Sequence, residues 1–139
     1  MEGKCNSQDI VYEGEVKDSR DDKVYHYIDM TSEEFRKRYS KHKQSFMKTN
    51  YKNETTLSKK VWELKEESSQ CPVVKFKILK HSRSYRAGDK MCLLCTDEKY
   101  EILNSERENL LNNRKEIFAS CRHRARFKIE KVSLRESQT

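Results

Sequence analysis

The stretch Tyr27 to His42, YIDMTSEEFRKRYSKH, leaves few folds open. It starts as the end of a strand, turns tightly, and continues with helical spacing. Thr31 reads as an N-cap, with Glu34 three residues later as its capping-box partner. Arg38 and His42 stand four apart, so on a helix running from about Thr31 to Met47 both project from one face. That places an always-charged phosphate binder beside a side chain able to act as acid, base or hydrogen-bond donor. The same spacing also fits a plain solvated basic face, because Arg36, Lys37, Lys41 and Lys43 crowd the segment.

Before this helix, Ile10, Tyr12, Gly14 and Val16 alternate with mostly charged neighbours, the pattern of a half-buried strand. The charged turn KDSRDDK leads to a second strand, Val24 to Met30, and the two form a hairpin carrying Tyr12 and Tyr27 on adjacent strands. After it come a loop from Lys48 to Asn53 and a second helix from near Thr56 or Ser58, with Leu57, Val61, Trp62 and Leu64 at helical spacing. Val74, Phe76 and Ile78 alternate with Lys75 and Lys77 in a third strand with one dry and one wet face. A basic loop, His81 to Lys90, precedes a third helix from about Met91, and a fourth helical element spans Leu110 to Phe118. The order predicts an α+β fold, a small three-stranded antiparallel sheet flanked by helices. Residues 1–9 are expected to be a flexible start, 10–124 one domain, and 125–139 a basic, disordered tail.

Only 34% of the 139 residues are hydrophobic and 38% are charged, so the core is small. Seven Tyr, five Phe and one Trp, with few glycines and one proline, argue for a folded chain rather than a linker. The net charge of +7 suits a polyanionic partner, nucleic acid first. No apolar run approaches the roughly 20 residues of a membrane span. The first residues, MEGKCNSQD, contain no apolar signal core. The expected location is inside the cell, and the nucleus if the source is eukaryotic.

Cys92 and Cys95 form C-x-x-C, and Cys121 and His123 follow as C-x-H, with 25 residues between Cys95 and Cys121. Four such ligands would make a closed zinc site, although the spacing is not a standard finger. The alternative is that these thiols are small core residues. Cys5 could substitute as a ligand; Cys71, before Pro72, is expected to pack. His26 and His81 show no partner in the sequence and default to surface positions. Glu98, on the third helix, could hold Mg²⁺ through one oxygen, or be an ordinary surface glutamate. There is no P-loop, no G-x-G-x-x-G and no evident Ser/His/Asp set, so no small-molecule cofactor is expected.

Taken in order, these residues resemble the GIY-YIG nuclease domain, in the version carried by Penelope-like retroelements. Ile10-Val11-Tyr12 stands at the first motif, Tyr27-Ile28-Asp29 at the second, and Phe35 to His42 resembles the F-x-x-R-x-x-x-H helix. Glu98 matches the metal-ligand glutamate and Asn112 the later asparagine, with Asn113 an alternative register. The stretches ETTLSKKVWELK, SYRAGDKMCLLCTDEKYEIL and LLNNRKEI, with CRH further on, resemble the retroelement version, and the likeness spans about residues 5–124. The resemblance implies hydrolysis of a DNA phosphodiester with Mg²⁺ or Mn²⁺ on Glu98. Tyr12 would take the proton of the attacking water, Arg38 would neutralise the phosphate, and Tyr27 and His42 would position water or phosphate. Asn112 would hold the local backbone or a phosphate. One departure stands out: Asp29 occupies the place where the family has glycine, adding a negative charge beside the expected phosphate site. A long acidic insertion separates the two motifs, and the chain holds no reverse transcriptase, so a domain with weakened activity, or a zinc-stapled domain that only binds nucleic acid, also fits.

Overall fold

The computed structural model describes residues 6–20, 22–68, 70–83, 92–105 and 107–112. Strand β1 (Ile10–Lys17) and strand β2 (Val24–Thr31) form the expected hairpin. Helix α1 (Phe35–Met47), a short 3₁₀ turn (Thr49–Tyr51) and helix α2 (Thr56–Ser68) follow, then strand β3 (Val73–His81) and helix α3 (Leu93–Leu103). The sheet is antiparallel throughout, in the order β2-β1-β3, which makes the protein α+β as its pattern predicts.

Because β1 is central, it is buried on both faces rather than one. Alternation along a strand sends neighbouring side chains to opposite sides. Ile10, Tyr12 and Val16 face the α1–α2 layer, where Phe35, Phe46, Leu57, Val61 and Leu64 pack. Val11 and Ile28 face the other way and pack with Leu94, Cys95 and Ile102 of α3. The charged residues between the apolar positions of β1 suggest a wet face, but α3 covers part of it and Glu13 is fully buried.

Three further differences have physical causes. Thr31 does not cap α1: it pairs with Ile10 at the end of the sheet ladder, so its backbone belongs to β2. The helix begins at Phe35, with Glu34 at the N-cap position and no side-chain cap, and the Phe35 N–H donates to the Ser7 carbonyl instead. Leu110 starts no helix. It bridges His26 in parallel, with the His26 N–H on the Asn109 carbonyl and the Leu111 N–H on the His26 carbonyl. This segment covers the free edge of β2, which would otherwise present unpaired backbone groups. The remainder of that predicted helix, like the tail, Cys5, most of the basic loop, Asn113, Cys121 and His123, lies outside the described residues. Cys71 is exposed rather than packed, while Pro72 beside it is buried. His81 closes β3 rather than opening the loop. Among the described residues no helix is long and apolar enough to cross a membrane.

Candidate active site

Antiparallel register sets Tyr12 opposite Asp29, so their side chains share the α1 face of the sheet. Helix α1 lies over that face and delivers Arg38 and His42, one turn apart, to the same place. The Tyr12 hydroxyl is the hub. It donates to Asp29 Oδ2 at 3.0 Å, accepts from Arg38 Nε at 3.2 Å, and lies 2.6 Å from His42 Nε2. Arg38 also donates to Asp29 Oδ2 through its terminal nitrogen at 2.6 Å. An aromatic shell encloses the hub: Phe76 of β3 meets Tyr12, Phe35, Tyr39 and His42, and the His42 ring stacks between Phe46 and Phe76.

Burial sets the protonation states. It pushes the Tyr12 phenol well above its usual range, Asp29 pushes the same way, and Arg38 only partly opposes them. Burial also lowers His42 to about 4, aided by the Arg38 charge and opposed by Asp29. Arg38 keeps its proton: burial works against its charge, but Asp29 and Tyr12 outweigh it. At neutral pH the centre therefore holds a neutral phenol, a neutral imidazole and a guanidinium–carboxylate pair. A cleft of about 110 Å³ opens beside it, lined by Arg38, Lys41, His42, Gln44, Tyr51 and Glu54 among others.

The other expected site residues are placed as follows. Tyr27, nearly buried, lies in the α2-facing core, and its ring packs edge-on to His42. Asn112 holds the backbone: its Oδ1 accepts from the Ile28 N–H and its Nδ2 donates to the Ile28 carbonyl, both at 2.7 Å. Glu98 is half-buried on α3, four positions from both Leu94 and Ile102, so it shares their side of the helix. Those residues pack on Val11 and Ile28, the face of the sheet opposite Tyr12. The carboxylate that touches Tyr12 and Arg38 is Asp29, and Arg38 already neutralises it. The residues around Tyr12 therefore do not fit a Mg²⁺ site by themselves. Cys92 and Cys95 are both buried at the start of α3, a placement that suits two thiolate ligands and equally two small core residues.

Ligand atoms that could hold a metal ion do gather elsewhere. Glu13, Glu15 and His26 bring one such atom each within 4.8 Å of one another, on the face away from Tyr12. His26 is thus no idle surface residue; its Nδ1 lies 2.8 Å from Glu13 Oε1. Arg107 and Lys77 also reach Glu13, with Lys77 Nζ 3.1 Å from Oε2. These two cations compete with any bound ion. Asp29 as a partner of Arg38 and this acidic group around buried Glu13 are the features that the sequence motifs do not disclose. The first was visible only as a departure from glycine; the second leaves no spacing signal, since it forms across two strands.

Compared with family models, curated proteins and solved structures, the chain matches none.

Proposed function

We propose that this chain is a DNA endonuclease domain that hydrolyses a phosphodiester at the Tyr12–Arg38–His42 centre, in a form weakened by Asp29. The observation that carries this reading is the convergence on one hydroxyl of residues 17, 26 and 30 positions away. They belong to both motifs and to the helix from which the resemblance was drawn. The net charge of +7 favours the same polyanionic substrate.

In this reading the scissile phosphate replaces Asp29 on Arg38, and the guanidinium offsets the charge that builds on the phosphate oxygens. A water oxygen bonds to phosphorus and the ester P–O bond breaks, the leaving oxygen departing as a hydroxyl with a proton taken from solvent. The proton of the water passes to the Tyr12 oxygen as Tyr12 releases its own to His42 Nε2, 2.6 Å away. Tyr12 works through this neighbour because its own phenolate is too costly in so buried a place. The resemblance adds Mg²⁺ or Mn²⁺ on Glu98, which would stabilise charge on the leaving oxygen. Helix α3 lies on the opposite face of the sheet, so an ion held by Glu98 alone would stand apart from the Tyr12 hydroxyl. Zinc, if held, takes Cys92 and Cys95 with Cys121 and His123, and it staples α3 rather than reacting.

A second reading, a domain that binds nucleic acid without turnover, is favoured by the 2.6 Å Arg38–Asp29 pair, which already fills the phosphate position. Nicking of supercoiled plasmid in Mg²⁺ separates the two. Nicking by the wild type that is lost in Arg38→Ala and Tyr12→Phe supports the endonuclease. Salt-sensitive DNA binding without nicking, in wild type and Asp29→Gly alike, supports the second.

A further inference from the structure

The cleft beside Arg38 has more in it than a phosphate needs. One wall is α1, presenting Arg38, Lys41 and Gln44; the other is the 49–55 segment, presenting Tyr51 and Glu54. Tyr51 is 39% exposed, Lys41 is exposed, and Glu54 and Gln44 face solvent. What sets this ring apart is its place, on the wall of the cleft that also holds Arg38. The segment that carries it is braced. The Tyr51 N–H donates to the Lys48 carbonyl and the Glu54 N–H to the Tyr51 carbonyl, both at 3.1 Å. Ser58 Oγ donates to the Lys52 carbonyl at 3.0 Å and accepts from the Thr55 N–H at 2.9 Å. The wall is held in place before anything binds, which lowers the ordering cost of binding.

The chemistry of the lining is that of a nucleotide. Arg38 and Lys41 suit phosphate oxygens, an exposed tyrosine suits the face of a base, and a carboxylate with an amide suits the hydrogen-bonding edge of one. Size narrows the choice. An enclosed cavity of about 150 Å³ holds one benzene ring. This cleft, about 110 Å³ and partly open to solvent, suits a single ring seated in part better than the wider face of a base pair. We propose that this cleft receives one unpaired pyrimidine base, stacked on Tyr51 and bonded at its edge by Glu54 and Gln44, beside the phosphate that Arg38 takes. The proposal rests on the DNA reading above and adds to it a substrate class: single-stranded or locally unpaired DNA, with a pyrimidine next to the bound phosphate. Glu54 accepts hydrogen bonds only, so cytosine, with its N4 amino donor, fits better than thymine.

The test is equilibrium binding in EDTA, where metal-dependent cleavage is stopped. Fluorescently labelled oligo-dC, oligo-dT, oligo-dA and a mixed-sequence duplex are titrated with wild type, Tyr51→Ala and Tyr51→Phe. Base stacking on an aromatic side chain is worth about 1–3 kcal/mol, about fivefold to 150-fold in affinity. The expected result is oligo-dC tightest, then oligo-dT, with the duplex weakest. Tyr51→Ala should lose at least about fivefold on the single strands and nothing on the duplex, and Tyr51→Phe should keep wild-type affinity. Equal affinity for duplex and single strands, or no change in Tyr51→Ala, overturns the proposal. The endonuclease reading fails separately. Nicking that depends on Arg38 while Tyr51 has no effect removes the base pocket and leaves the centre. Tyr51-dependent binding without nicking removes the centre's catalysis and leaves the pocket.

Discussion

The Tyr12 hydroxyl and His42 Nε2 lie 2.6 Å apart in a buried contact, although thirty positions separate the two residues in the chain. One comes from the central strand and the other from the helix laid across it. Their meeting shows that the apolar pattern of β1 and the four-residue spacing of α1 serve a single place. The contact also keeps a histidine out of water, with consequences for stability.

His42 ionises near pH 4 in the folded protein and near 6.5 when unfolded. Between these values the unfolded chain binds more protons, so stability is fully present above about pH 6.5 and falls as pH drops toward 4. The expected loss across that window is about 3 kcal/mol. Denaturant unfolding from pH 4 to 7.5, wild type against His42→Phe, measures it. The variant should lose most of this slope between pH 6.5 and 4, and an unchanged slope would assign the acid sensitivity to other groups.

Asn112 spans both backbone groups of Ile28 and so pins the 109–112 segment along the edge of β2. Asn112→Ala leaves a buried N–H and carbonyl unsatisfied, at about 1–3 kcal/mol each. Chemical denaturation should show a loss of that order. A change below about 0.5 kcal/mol, the range of a neutral surface substitution, would mean the segment is not held there.

Gly14 sits where β1 passes under α2. A Cβ there would lie 3.0 Å from a ring carbon of Phe76 and 3.3 Å from a methyl of Leu57. Phe76 also packs against Tyr12 and His42, so the crowding reaches the candidate centre. Gly14→Val is expected to cost about 1–3 kcal/mol, and Gly14→Ala less, by the same unfolding measurement. Equal stability of all three proteins would show that Phe76 yields freely.

Much of this architecture is legible in the residues themselves. The hairpin, α2 and β3 follow from the spacing of their apolar residues, although β1 proves buried on both faces. What escapes is what depends on later elements. Glu13 looks like a wet-face residue until α3 and the segment around Arg107 close over it. Thr31 has the chemistry of a helix cap, but its pairing with Ile10 claims its backbone first. The candidate site was half visible. Arg38 and His42 share a face by spacing, and the structure brings both to Tyr12. That Asp29 would occupy Arg38 is a cross-strand consequence of register, and register is set by the whole hairpin. Glu98 carries no such local signal, and its position follows from which face of the sheet α3 covers.

The central claim is that the Tyr12–Arg38–His42 centre cleaves DNA and that Asp29 restrains it. Plasmid nicking in Mg²⁺ by wild type, Arg38→Ala and Asp29→Gly tests it most directly. Loss of Arg38 should lower the rate by about 10²-fold or more, the usual effect of removing one charge-stabilising donor. Releasing Arg38 through Asp29→Gly should raise it by about tenfold, equivalent to about 1.4 kcal/mol. Rates that are the same for all three proteins, or no faster than a protein-free control, would contradict the account.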